Sequence, residues 1–180
     1  MLNERYAGLV CEISAVFHST FVSLMELSRF SDYSLRVLIY AAASENEKIT
    51  LSELANAYRI SQNHLVKIVH FLGKEGYLAN SRGRSGGIRL GQKPEAIRVG
   101  DVIRKTETHW DLAECFNAGN QCKLSPSCRL KGVFEEARNA FLDVLDHYTL
   151  EDLVQSSKPI IRLLNLRSTN VFPNRLNSHL

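Results

Sequence analysis

Residues 50–76 carry two short apolar periodicities, each with its own start signal, joined by Arg59-Ile60 alone. Thr50-Leu-Ser-Glu53 is a capping box, in which the threonine hydroxyl accepts from the third helical amide while the glutamate reaches back to the cap amide. Leu51, Leu54, Ala55 and Tyr58 then recur at helical spacing. Ser61 is a second N-cap candidate, and Leu65, Ile68, Val69 and Leu72 repeat the spacing up to Gly76, a C-terminal stop. Two amphipathic helices too short to be stable alone, held by so tight a turn, must pack as a helix-turn-helix. Its second helix presents Gln62, Asn63, His64 and Lys67 at the outward N-terminal end. Asn and Gln can pair bidentately with adenine, and Lys can reach guanine or phosphate.

The segment that follows, Tyr77-Leu-Ala-Asn-Ser-Arg82-Gly-Arg84-Ser-Gly-Gly-Ile-Arg-Leu90, places two strand candidates around a Gly-rich turn. That predicts a hairpin wing, with Arg82 and Arg84 at its tip for phosphate contact or minor-groove entry. A nucleotide-phosphate loop is the rival reading, and the required G-x-x-x-x-G-K-[ST] pattern is missing. Charge favours the wing. Between Arg59 and Lys93 seven basic residues stand against one acidic, Glu75, so this block is +6 within a chain of net charge +3. A basic run is usually a solvated face; coinciding with a helix-turn-helix, it reads as a nucleic-acid footprint.

Three of the four cysteines, Cys115, Cys122 and Cys128, fall within fourteen residues rich in Asn, Gly, Ser and Pro, ahead of a long helical pattern. The C-x6-C-x5-C spacing lacks the C-x2-C knuckle common in structural zinc sites. Three thiolates with one coordination position left over suit iron–sulfur chemistry, and three packed thiols remain the plain alternative. His109 or His147 could serve as a fourth ligand or base for an enzyme. No Ser/His/Asp or paired-carboxylate constellation accompanies them, so no catalytic role is expected. The fourth cysteine, Cys11, lies in residues 1–24, which read as an N-terminal extension with Met25 as an alternative start, and it is not expected to be a ligand.

From Ser31 the pattern turns helical, with Ser31 or Asp32 as N-cap and Leu35, Leu38, Ile39 and Ala42 as its buried face. Asp32 and Arg36, four apart, make an ordinary surface ion pair. A short helix spans Arg98 to Glu107, and Leu130, Val133, Phe134, Ala137, Phe141, Val144, Leu145 and Tyr148 mark the longest periodic run. A helix that long on so small a domain suits pairing with its twin, as two-fold DNA-binding dimers require. Thr149-Leu-Glu-Asp152 restarts a helical turn, and residues 155–180, with Pro159 and Pro173, read as a mobile tail. No run of about eighteen apolar residues offers a membrane span, and the cysteine usage points to a reducing, cytoplasmic setting.

The expected architecture is therefore mainly α with a small β wing. It divides into a winged helix-turn-helix over 25–108, a cysteine loop over 109–128 and a dimerisation helix over 129–154. In this arrangement the motifs Ser28-Arg-Phe-Ser-Asp32-Tyr-Ser-Leu-Arg36, Arg82-Gly-Arg-Ser-Gly-Gly-Ile-Arg-Leu90, Ile97-Arg-Val-Gly-Asp-Val-Ile103, the three cysteines and Thr149-Leu-Glu-Asp-Leu-Val154 together resemble the Rrf-type winged-helix regulators, nearest to their nitric-oxide-sensing repressors. The resemblance covers about residues 26 to 154. It implies a homodimeric repressor of double-stranded operator DNA with one iron–sulfur cluster per subunit, [2Fe-2S] or [4Fe-4S], on Cys115, Cys122 and Cys128. It further implies that Asp32 can complete the coordination from the other subunit. The implied effector is nitric oxide, with sibling regulators sensing iron or cluster status on the same scaffold.

Overall fold

The computed structural model describes residues 26–44, 48–81, 86–108, 110–155 and 157–164. Cys11, Arg82, Arg84 and His109 lie outside the described residues.

Helix α1 (Arg29–Ala43) is capped three or four residues earlier than the expected Ser31 or Asp32. Ser28 is the cap, its hydroxyl accepting from the Ser31 amide at 3.2 Å. Ser31 is not free to cap because it faces inward: it is fully buried, and its hydroxyl donates to Thr106 Oγ1 at 2.8 Å. The buried stripe consequently runs through Ser31, Ser34, Val37, Leu38, Ala41 and Ala42, while Leu35 and Ile39 are only partly covered.

Helix α2 (Leu51–Tyr58) starts at the expected capping box, with Glu53 N–H donating to Thr50 Oγ1 at 3.2 Å and Thr50 N–H to Glu53 Oε2 at 2.6 Å. It stops at Arg59, whose φ of 55° and ψ of 38° are left-handed. Helix α3 (Gln62–Lys74) follows directly. Ser61 holds the N-cap position and its carbonyl accepts from His64 and Leu65, but its hydroxyl makes no capping bond. Leu65, Ile68, Val69 and Leu72 are all buried, as their spacing requires. The far end is a Schellman motif: Gly76 takes φ 78°, Tyr77 N–H bonds the Leu72 carbonyl, and Gly76 N–H bonds the Gly73 carbonyl.

Strands β1 (Leu78–Ser81) and β2 (Gly87–Leu90) form the antiparallel hairpin, paired from Leu78↔Leu90 to Ser81↔Gly87. Leu78, Ile88 and Leu90 turn into the core, and Ile49 bridges to Ile88 on the other edge.

Helix α4 (Val99–Thr106) packs on α1, and helix α5 (Arg129–Asp146) on α4. Helix α6 (Leu150–Val154), capped by a Thr149–Asp152 box, sends Leu150 and Val154 back into the core. The segment read as a mobile tail contains a further helix, α7 (Ser157–Leu163), from which Ile160, together with Leu164 beyond its end, packs on that core.

At 18 residues α5 is about 27 Å long, and none of its side chains is buried. Leu130, Val133, Phe141 and Val144 on the helix and Tyr148 beyond it stay exposed. Among the described residues no helix is long and apolar enough to cross a membrane.

Candidate DNA-reading head and cysteine loop

The buried stripe of α3 fixes what its other side offers. At 100° per residue, Asn63, Lys67, His70 and Lys74 lie opposite Leu65, Ile68, Val69 and Leu72, and all four are exposed. Gln62 and His64 are exposed in the first turn. Gln62 is already oriented, its amide donating to Ser52 Oγ on α2 at 3.2 Å. The first turn of α3 carries no acidic side chain, so its unpaired amides and partial positive charge are open to a phosphate. Arg59 in the interhelical turn and Arg89 on β2 are exposed on the same head.

Val66 was missed by the sequence reading, although it breaks phase with the apolar stripe. It is 50% exposed among polar neighbours, one turn along from Gln62. An apolar side chain there can meet a thymine methyl.

The cysteines sit on an irregular loop after α4. Cys115 falls in a 3-10 turn (Glu114–Phe116), Cys122 precedes a second one (Ser125–Ser127), and Cys128 occupies the N-cap position of α5 without a side-chain capping bond. All three are free thiols of intermediate burial. Asn120 organises the turn between them: its Oδ1 accepts from Cys122 N–H at 2.9 Å and its Nδ2 donates to Ser125 Oγ at 2.6 Å. Gln121 N–H adds a bond to Glu114 Oε1 at 3.0 Å. The loop leans on α5 through the Phe116 ring, with Lys131 Nζ 5.9 Å and the Arg138 guanidinium 5.8 Å from its centroid.

Among the described residues no three His, Cys, Asp or Glu side chains converge as a metal-binding group. The single chain thus supplies three sulfurs on one loop without drawing them together. The donor chemistry nonetheless fits an iron–sulfur cluster, since all three sulfurs are free thiols of intermediate burial on one loop. His147 is not directed to them; its Nδ1 donates to the Asp143 carbonyl at 2.6 Å.

Asp32 is likewise placed on α1, with both oxygens on Arg36 at 2.8 and 2.9 Å. That bond and the nearby carboxylate charge raise the Arg36 pKa above its usual value. The guanidinium also lies 5.8 Å from the Tyr33 ring and 6.0 Å from Tyr58. Burial pushes the Tyr58 phenol up to about 12, and its hydroxyl donates to the Arg36 carbonyl at 3.0 Å. Asp32 is therefore held in the ion pair expected of its spacing.

A helix-turn-helix with a hairpin wing, a basic reading face and a cysteine loop ahead of a bare apolar helix together define a known regulator architecture. The family described as Rrf2, iron-dependent transcriptional regulator, matches residues 27–156. The chain belongs to the Rrf2 family. An NsrR regulator of Bacillus licheniformis is 50% identical over 143 residues, covering 78% of this chain and 100% of the relative. The NsrR of Bacillus subtilis is 49% identical over 145 residues, 79% and 99% of the two chains. Among solved structures, CymR, the global cysteine regulator of B. subtilis, superposes with a TM-score of 0.59 at 27% identity, covering 74% of this chain and 98% of that one. T. potens IscR gives 0.59 at 24% identity, over 76% and 90%, and shows the shared fold. This Rrf2 protein is a winged-helix transcriptional regulator of the NsrR type, not an enzyme.

Proposed function

We propose that the chain is a homodimeric, nitric-oxide-responsive repressor that holds one iron–sulfur cluster per subunit and binds operator DNA in the cytoplasm. The observation that carries this reading is the position of Cys115, Cys122 and Cys128: free sulfurs on one loop, between α4, which is bonded to the reading head, and α5, which leaves Leu130, Val133, Phe141 and Val144 exposed in the single chain.

Each part then has a task. Gln62, Asn63, His64 and Val66 meet base edges, while Lys67, Arg82 and Arg84 grip phosphate or the minor groove. Leu130, Val133, Phe141, Val144 and Tyr148 give α5 a seam for its twin, which sets two heads about one DNA turn, roughly 34–36 Å, apart. Cys115, Cys122 and Cys128 would hold the cluster, and Asp32 of the other subunit would exchange its Arg36 pairing for the remaining position. Bound there, the cluster supplies thiophilic iron that nitric oxide attacks. A carboxylate is the weakest donor of that set, so Asp32 would be the most readily displaced residue, and its release would free α1 of one subunit from the loop of the other.

The test is anaerobic purification with iron and sulfide analysis of wild type and of Cys115→Ala, Cys122→Ala and Cys128→Ala. A coloured wild type and colourless variants are expected; a metal-free wild type that binds operator fully would overturn the cluster. The family's description as iron-dependent favours a second reading, in which iron or cluster supply is the signal. Promoter occupancy under iron limitation and under nitric oxide separates the two.

A further inference from the structure

We infer that the last turn of α4 is the relay between the cysteine loop and the reading head, with Lys105 as the positioning residue that sets the recognition helix. Four consecutive side chains there each grip a different point. Arg104 forks onto Asp146 of α5, with N–O distances of 2.6 and 2.5 Å. Lys105 Nζ reaches Glu75 Oε2 at 2.8 Å and lies 5.1 Å from the centre of the Tyr77 ring. Thr106 Oγ1 accepts from buried Ser31 on α1, and Glu107 Oε1 accepts from Ser28 N–H, the cap of that helix, at 2.6 Å.

Glu75 occupies a particular place: it is the C-cap of α3, one residue before the left-handed Gly76 that turns the chain into the wing. Lys105 therefore holds the joint between recognition helix and hairpin, whereas Arg104 holds the dimer helix. The pair is tight in both directions. A hydrogen bond from Lys105 lowers the Glu75 pKa, and the same bond raises that of Lys105. By contrast, the hydrogen bonds described for residues 113–127 run from one loop residue to another. The loop's bonded routes to the head thus start at its two ends, and the route through α4 reaches α3 directly. A shift of α4 against α5 moves Lys105, and with it the angle of α3 to the groove.

This relay rests on the cluster reading above and is tested by a ratio. Operator affinity is measured anaerobically for cluster-loaded and cluster-free full-length protein, in wild type, Lys105→Gln, Glu75→Gln and the charge exchange Lys105→Glu/Glu75→Lys. Cluster absorption and melting temperature are recorded alongside. Lys105 is 44% and Glu75 27% exposed, so these substitutions leave the core intact. The relay predicts that both single variants keep the wild-type cluster spectrum but narrow the loaded-to-free affinity ratio at least threefold, and that the exchange restores most of it. Equal weakening of both states, with the ratio unchanged, would show a merely structural pair and overturn the relay alone. A wild-type ratio of one would overturn the cluster reading and the relay together.

Discussion

Arg59→Gly should stabilise the fold while weakening DNA binding. Arg59 ends α2 at φ 55° and ψ 38°, a conformation that costs an L-residue about 1–2 kcal/mol and glycine almost nothing. Glycine gives back about 0.4–1 kcal/mol through the freer unfolded chain, so the net gain is roughly 0.5–1 kcal/mol, or about 1–4 °C in melting temperature. Arg59 is exposed just ahead of α3, where under the proposed docking its cation would meet phosphate. Losing one phosphate contact per subunit lowers the slope of log affinity against log salt by about 0.9 each, nearly 2 for a dimer. The assay is thermal melting together with operator binding from low to moderate salt. A lower melting temperature would refute the strain argument, and an unchanged slope would refute the phosphate contact.

Val66→Ala should erase the response of binding to uracil-for-thymine replacement in the operator half-site, whereas wild type loses affinity several-fold at one such position; equal losses in both would remove Val66 from base reading. Val133→Asp and Val144→Asp, at exposed apolar positions of α5, should yield monomers by light scattering, and an unchanged mass would place the dimer seam elsewhere. Asp152 accepts first from the Thr149 amide and then from its hydroxyl, which holds its carboxyl below the ordinary value of 3.8. A depressed folded pKa gives stability that is full well above the unfolded value and is lost as pH falls through the folded one. The melting-temperature gap between wild type and Asp152→Asn should therefore be constant above about pH 5 and close only below pH 4, and a gap that widens in acid would contradict this.

What the sequence made legible was what short-range spacing controls. Thr50 with Glu53, the Leu65–Leu72 stripe, Gly76 and the hairpin pairing are each decided within a few residues, and they appear where expected. Leu38 and Ala42 are buried on α1 as expected, but its cap was misplaced and its inward-facing serines were missed because Ser31 is buried by a partner 75 residues away, a contact that local polarity argues against. Separations of 30 and 42 residues likewise hide Lys105–Glu75 and Arg104–Asp146 from periodicity. Arg59 looks like a surface cation in sequence, and only its backbone shows that it is strained. The cysteine spacing suggested a ligand loop, and in the single chain its three free thiols do not converge into a metal-binding group among the described residues. Likewise the apolar run of α5 named a buried face, and the single chain leaves most of it exposed.

In the proposed switch the state of the cysteine loop governs grip on DNA. The most direct measurement is operator affinity of anaerobically purified, cluster-loaded protein during titration with nitric oxide, with Asp32→Ala in parallel. Switching from near full to near empty occupancy requires the two states to differ by about 5.5 kcal/mol, roughly ten-thousand-fold. Wild-type affinity should fall by about that factor, with the fall complete at a few nitric oxide per cluster, and Asp32→Ala should titrate differently. Wild-type affinity that stays constant as the cluster reacts would contradict it.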